Sequence, residues 1–332
     1  MEVVETRRLQ ILLELSRLGS MRAVANLLET TTSTVSQQLA ILARENGAVL
    51  LEADGRGVRL TPDGRRLAAH ASIILAAVAA AQADLNPDAA PAGILRVAGF
   101  STAIRRTLIP IITDLSATHP QLEIVVSEHE PVEALALLDK GEIDLAITYD
   151  YSLAPSEFAP ELTTSLIWST PWSLGVQSSS VHILDKQTLS GNSSRTFAAF
   201  RHHNWIGNSR NTADEDVLRT IASLADFQPT IKHRSDSLDL VEDLVLAGMG
   251  VGLLPTDRPA RDGITLLPLA NPDVLLQAHA VTRNTRHLWA PLALLLQRLN
   301  VERYSHQAHP YELRSRSLGA LPRLGKEADA RH

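Results

Sequence analysis

The sequence predicts a multi-domain chain: a small all-α domain built as a winged helix-turn-helix, then a long linker helix, then an α/β region of two lobes. Three observations predict it. Short helical patterns separated by capping residues fill the first sixty positions. A heptad-spaced apolar series occupies 67–85. From residue 94 onward strand and helix patterns alternate.

The first helix is expected over Thr6–Leu18, where Leu9, Ile11, Leu12, Leu13 and Leu15 form a broad apolar stripe. Gly19 ends it and Ser20 can cap the next, Met21–Leu28, which places Val24, Ala25 and Leu28 on one side. The stretch ETTTSTVSQQLAIL (Glu29–Leu42) then reads as a helix starting near Thr32 with Thr31 as N-cap. Val35, Leu39 and Leu42 supply a narrow core stripe, while Thr32, Ser33, Ser36, Gln37 and Ala40 point outward. Ser, Thr and Gln weaken an isolated helix interior, so neighbouring helices must brace this one. Two tightly linked helices with a small residue, Ala25, at their crossing describe a helix-turn-helix. Gln can bond an adenine edge in two places, and Ser or Thr can reach a base or phosphate. A solvated polar helix in a small bundle is the alternative reading of that segment taken alone.

AVLLEADGRGVRLTP (48–62) adds strand, turn and strand, with DGRG (54–57) as the turn. A basic hairpin directly after a helix-turn-helix is a wing. Its Arg56 and Arg59 are placed to enter a minor groove or clamp phosphates, or are merely solvated. Thr61 and Pro62 start a long alanine-rich helix in which Leu67, Ala71, Ile74, Val78, Ala81 and Leu85 form a seam of about three heptads. Such a seam calls for a partner helix, either a second copy or the chain's own second domain.

NPDAAPAG (86–93) is linker-like. Strands are expected at Ile94–Phe100, Leu122–Glu128 and Ile143–Thr148, with helices at Ala103–Thr118 and Val132–Lys140. A second set has strands at Trp172–Val176, Asn204–Ile206 and Val251–Pro255, and helices at Asp214–Ala225 and Asp236–Ala247. Two βα sets suggest parallel sheets in two lobes with a cleft between, and ligands in such sheets lie beyond the carboxyl ends of strands. The effector-site candidates are therefore Ser101, Thr102, Tyr149, Asn208 and Ser209, with Asp150 and Arg210 beside them; each is otherwise a cap or loop residue.

The 332 residues suffice for two or three domains, and 45% hydrophobic content is ordinary for a globular chain. Without cysteine there is no disulfide, thiol chemistry or Cys-based zinc site, which fits a cytoplasmic setting. The start MEVVETRRLQILLEL is unlike a secretory signal, and the apolar run near 68–83 is mostly alanine, so no membrane partner is expected. The net charge of −6 disfavours nucleic acid until it is mapped: residues 91–302 hold 16 basic and 24 acidic side chains, residues 1–90 hold 9 and 10, and residues 303–332 hold 6 and 3. Either end can approach phosphate. GMGVG (248–252) lies after a helix and before a strand, the reverse of a dinucleotide fingerprint. Adjacent His202 and His203 diverge in a strand and do not chelate one metal easily. No nucleophile elbow, P-loop or HExxH occurs, so neither enzyme chemistry, a cofactor nor a metal is expected.

Taken together, GSMRAVANLLETTTSTVSQQLAIL, GRGVRLTPDGRRL and LVLAGMGVGLLP resemble the LysR-type transcriptional regulators over roughly residues 5–302. The family's VSRQI-like run is here Val35-Ser36-Gln37-Gln38-Leu39, and its LTPAG-like wing end is Leu60-Thr61-Pro62-Asp63-Gly64. The resemblance implies a regulator of transcription that binds double-stranded promoter DNA and forms a homodimer or homotetramer through the long helix. It implies a sensor like a two-lobed periplasmic binding protein, whose small-molecule effector alters DNA binding. It places Arg22, Thr31, Thr32, Ser33, Ser36, Gln37 and Gln38 at DNA-contacting positions. The chain departs from the family where Thr32-Ser33 replaces a frequent Gln-Pro, Gln37 replaces Arg, and Leu50–Ala53 reads LLEA rather than LFER. The recognition helix thus has no cation before Arg44, and each missing phosphate cation lowers the salt slope by about one unit. A solute-binding or enzymatic α/β protein with an N-terminal helical dimerisation module is the competing function. The expected organisation is 1–60 for the DNA-binding domain, 61–90 for the linker helix and hinge, and 91–302 for the sensor. One lobe is expected at 91–162 with 266–302, the other at 163–265, and a disordered tail at 303–332.

Overall fold

The computed structural model describes residues 5–55, 57–85, 90–184, 192–284 and 289–307. Its first module contains α1 (Thr6–Leu18), α2 (Met21–Leu27), α3 (Thr32–Glu45), β1 (Leu51–Asp54) and β2 (Gly57–Leu60). Gly19 takes the left-handed conformation that ends α1, and its N–H returns to the Leu15 carbonyl. The Ser20 and Thr31 hydroxyls cap α2 and α3 by accepting from the Ala23 and Thr34 amides. Val24, Ala25, Val35, Leu39 and Leu42 are buried against Leu9 and Leu12 of α1, so the braced helix-turn-helix forms as its apolar spacing requires. β1 and β2 pair antiparallel around the Asp54–Gly57 turn.

α4 (Pro62–Leu85) starts on the Thr61 hydroxyl, which accepts from the Gly64 amide at 3.0 Å. Its seam divides. Ala71 is buried and Leu67 partly buried against the chain's own first module, so these two are intramolecular packing rather than a partner surface. Ile74, Val78 and Ala81 face outward, joined by Ile73. The Leu85 side chain lies outside the described residues. A 24-residue helix spans about 36 Å, more than the small module can cover, so only its early turns find intrachain partners.

The remainder alternates as expected at first: β3 (Gly93–Gly99), α5 (Ser101–Ala103), α6 (Ile109–Thr118), β4 (Leu122–Glu128), α7 (Pro131–Asp139) and β5 (Leu145–Tyr151). The helix expected over 103–118 contains a π-helical turn at Ile104–Leu108. Pro110 has no N–H to give the Arg106 carbonyl, and its ring crowds that carbonyl, so the helix widens there. The long β6 (Leu162–Gln177) follows, then α8 (Ser193–Ala199), β7 (Asn204–Gly207), α9 (Ala213–Leu224), β8 (Thr230–Arg234), α10 (Leu238–Leu246), β9 (Val251–Pro255), β10 (Ile264–Pro268), β11 (Leu275–Arg283) and α11 (Ala290–Gln307). α10 starts later than its pattern suggests, because Ser237 caps it and Asp236 is held by Ser209.

The strand order β4-β3-β5-β11-β6-β9-β7-β8, with β10 also on β6, corrects the expectation of purely parallel sheets. The outer strands are parallel, but β11 and β6 run antiparallel through the middle. β6 pairs β11 over Leu162–Pro171 and β9 over Trp172–Gly175, so a single strand serves both lobes. The first crossover therefore falls at Pro171–Trp172, later than the predicted 163, and the second lies between β10 and β11. The sequence pattern marks a strand only at Trp172–Val176 and misses the Leu162–Pro171 half that pairs β11. α11 also continues through Gln307, beyond the predicted tail start at 303; residues 308–332 lie outside the described residues. Among the described residues no helix is long and apolar enough to cross a membrane.

Candidate DNA-binding and effector sites

On α3, Thr31, Thr32, Ser33, Ser36 and Gln37 are all exposed, one convex polar face standing on the buried Val35, Leu39 and Leu42. The Thr31 hydroxyl lies 2.8 Å from Ser33 Oγ and 2.9 Å from Thr34 Oγ1, so the first turn is internally ordered and Thr31 is committed to capping. Gln38 departs from its expected role. Its Oε1 accepts from Arg8 Nε at 3.0 Å, beside the Arg8–Glu45 ion pair, which ties α3 to α1 and turns the amide away from the exposed face. Arg22 is exposed near the start of α2. On the wing, Arg59 pairs with Glu52 directly across the hairpin at 2.9 Å, which halves the wing's expected basic character. Arg56 lies outside the described residues.

The second site is the space between the lobes. β3, β4, β5, β7, β8 and β9 all deliver their carboxyl ends there, as a parallel arrangement dictates. Ser101 and Thr102 line it after β3, Tyr149 near the end of β5, and Asn208 after β7. Ser209 stands at the outer mouth, its amide and hydroxyl bonded to Asp236. Asp150 does not face the cleft: the strand alternates at Tyr149, and Asp150 instead accepts from the Ser156 amide and contacts His279.

Sequence reasoning missed the acidic half of the cleft. Glu130 follows β4, and its Oε2 accepts from the Tyr149 hydroxyl at 3.2 Å and Asn211 Nδ2 at 2.6 Å. The Tyr149 oxygen in turn accepts from Asn211 at 2.9 Å and Asn208 at 3.3 Å. Tyr151 donates to Asp214 at 2.8 Å. Apart from the Tyr149–Glu130 bond, these bonds run from one lobe to the other. Burial, reinforced by the nearby Asp236 charge, pushes Glu130 up from 4.5 to about 7. Burial also lifts Asp214 to about 6, with Asp236 adding to the rise and the Tyr151 hydroxyl opposing it. Asp236 is only partly buried, and the Ser209 and Arg210 donors outweigh that burial and hold its carboxyl below the ordinary range. Applying the strand-end rule to β4, β8 and β9, as it was applied to β3 and β5, would have flagged Glu130, Asp236 and Asp257.

Two arginines bridge the lobes. Arg210 reaches Asp236 at 3.1 Å on its own side and Glu133, Glu130 and Glu128 at 3.4, 3.7 and 3.8 Å opposite. Arg106 donates to Thr170 at 3.1 Å, pairs with Asp257, and stacks 4.7 Å over Trp168. The water-accessible volume between these side chains is about 50 Å³, room for a few waters. The outer mouth, which shares Ser101, Thr102, Arg106, Asp236 and Asp257 with it, is wider, about 1000 Å³. Among the described residues no group of three or more His, Asp or Glu is placed to hold a metal ion.

Comparison with known proteins agrees on both modules. Residues 6–65 match the family described as bacterial regulatory helix-turn-helix protein, lysR family, and residues 88–302 match the LysR substrate binding domain. The chain is 24% identical over 265 residues to the transcriptional dual regulator GltC of Bacillus subtilis, covering 76% of this chain and 81% of that one. It is 25% identical over 232 residues to the HTH-type transcriptional regulator CysB of Haemophilus influenzae, covering 69% and 68%. In fold it is similar to a full-length OxyR variant from Pseudomonas aeruginosa, with a TM-score of 0.70 at 18% identity, covering 91% and 96%. A mutant OxyR of Corynebacterium glutamicum is similar with a TM-score of 0.58 at 20% identity, covering 96% and 97%.

Proposed function

The chain belongs to the LysR family of DNA-binding transcriptional regulators with an effector-binding domain, and on that premise we propose how its two sites divide the work. It is a regulator rather than an enzyme. α3 enters the major groove of promoter DNA with Thr32, Ser33, Ser36 and Gln37 toward base edges and phosphates, while Arg22 and the wing hold the flanking backbone. The observation that carries this assignment is the coincidence of exposure and chemistry on one helix face: these four side chains point outward, and every apolar residue at the core spacing points in.

The effector occupies the interlobe cleft, touching Ser101, Thr102, Tyr149 and Asn208, with Ser209 at the entrance. Because Glu130, Asp214, Asp236 and Asp257 all border the same space as Arg106, the lining favours a small polar molecule rich in donors over a polyanion. The assembly is a homodimer or homotetramer joined along α4 through the outward Ile73, Ile74 and Val78. Domain limits near 60, 90 and 302 follow, with 303–307 completing α11.

A mobility-shift assay with DNA upstream of the chain's own or a neighbouring gene tests the first site. Retention of full affinity by Gln37→Ala would remove α3 as the reading helix. Ile74→Asp is expected to lower the mass in sedimentation; an unaltered oligomer would exclude α4 as the joint.

A further inference from the structure

The first module does not hang free of the sensor. α1 carries Glu14 and Arg17 three residues apart, and both turn toward the lobe built on β3 and β5. The Arg17 side chain is 6% exposed and that of Asp144 is fully buried. Arg17 Nη2 donates to Asp144 at 3.3 Å, Nη1 to Glu14 at 3.0 Å and Nε to the Gly141 carbonyl at 3.1 Å. Arg96 of β3 donates to Glu14 at 3.5 Å, and its own amide donates to Asp144 at 2.9 Å. Beside them Arg283, at the end of β11, donates to Ser72 of α4 at 3.0 Å. Gly141 sits at φ +74°, a conformation that suits glycine, and a Cβ there would press within 3.1 Å of Arg283 Nη1.

Ion pairs sheltered in this way contribute little net stability once desolvation is counted, but they penalise any arrangement that separates them. An apolar contact would let α1 slide over the lobe; a guanidinium fitted to two carboxylates and a carbonyl does not. The two strands that hold the sensor half of this cluster also reach the cleft. β3 carries Arg96 at its midpoint and leads into Ser101 beyond its carboxyl end. β5 follows Asp144 and carries Tyr149. Each run of about five residues is a strut of roughly 16 Å. Meanwhile Thr32, Ser33, Ser36 and Gln37 remain exposed, so the docking aims the recognition face without covering it.

We propose that the Glu14–Arg17–Asp144–Arg96 cluster is an interdomain latch that fixes the direction of the DNA-binding module and reports the state of the cleft to it through β3 and β5. Rigid elements linking two sites are the physical means by which such coupling travels. The proposal concerns the chain without DNA or ligand, so it stands apart from the effector's identity.

The absence of native cysteine allows clean double spin labelling at Asn26→Cys on the module and Ala117→Cys on the sensor, both exposed. Electron-electron distance measurement on the full chain, with the labelled protein diluted into excess unlabelled protein so that each oligomer carries one labelled copy, is expected to give one narrow distribution. Arg17→Gln should broaden it and add a separate population. Arg17→Lys, whose single ammonium cannot span all three acceptors, should fall between. Tyr149→Phe, at the cleft end of β5 and away from both labels, should shift part of the population toward the released distance. A broad distribution in the unmutated latch, or a narrow one that survives Arg17→Gln, overturns the latch. Broadening by Arg17→Gln together with no effect of Tyr149→Phe overturns the transmission. Retained circular dichroism and melting of Arg17→Gln establish that the module itself stays folded.

Discussion

The recognition helix and the interlobe cleft use polar side chains in opposite ways. On α3, Thr32, Ser33, Ser36 and Gln37 come from consecutive turns of one helix and stand in solvent. In the cleft, Glu130, Tyr149, Asn208, Asn211 and Asp214 come from distant segments and are bonded to one another out of water. A DNA duplex is larger than the module and supplies its own desolvation, so its contacts wait exposed. On the proposed reading a small effector enters between the lobes, where the side chains that would meet it are bonded to one another. The difference also appears in charge. α3 has no cation before Arg44, whereas the cleft border carries enough carboxylates for burial to push two of them toward neutrality.

The largest expected effect separates the two regions outright. Leu39 is 1% exposed beneath the recognition face. Leu39→Ala should cost about 2–5 kcal/mol of stability in the first module. In denaturant titration the module should unfold early, while the transition followed by Trp168 and Trp172 in the cleft stays in place. A cost below about 1 kcal/mol would mean that this helix is not braced as described.

Next is the pH response of the cleft. The folded-state value of Glu130 lies above its unfolded one, so its contribution is full below about 4.5 and is lost as pH rises to about 7. Asp214, raised to about 6, acts in the same sense. Glu130 should thus remove up to about 3 kcal/mol between those limits. Glu130→Gln should flatten the fall in melting temperature between pH 5 and 7. Parallel curves for the two proteins would show that the carboxyl is not shielded.

Gln37→Ala comes third, with about 1–3 kcal/mol lost in DNA affinity and no change in the stability of either region. The smallest effect belongs to Arg59→Ala. Glu52 already faces that guanidinium at 2.9 Å, so the salt slope of DNA binding should fall by less than about one unit. A full unit or more would mean that Arg59 leaves Glu52 for phosphate.

Much of the first module was legible because its information is local. Caps at Ser20, Thr31 and Thr61 sit within a few residues of the amides they satisfy, and Val35, Leu39 and Leu42 declare the buried face by spacing alone. Gln38 was not legible, because only the approach of Arg8 from α1 decides which way its amide turns. Likewise Ala71 reads as part of a partner seam until α1 is seen to cover it. In the sensor, Ser101, Tyr149 and Asn208 were reachable by the strand-end rule. The Glu130–Asn211 and Tyr151–Asp214 bonds were not, since their partners lie 81 and 63 residues apart.

By itself the sequence determined the helix-turn-helix, its caps, its polar face, and the repeated strand-helix units, all of which follow from hydrogen bonding and side-chain period over a few residues. Only the tertiary structure decided where β6 crosses between lobes, which carboxyls lose their water, and how α1 seats on the sensor. Those outcomes depend on which distant segments share a low-dielectric space, and neither composition nor spacing along the chain encodes that proximity.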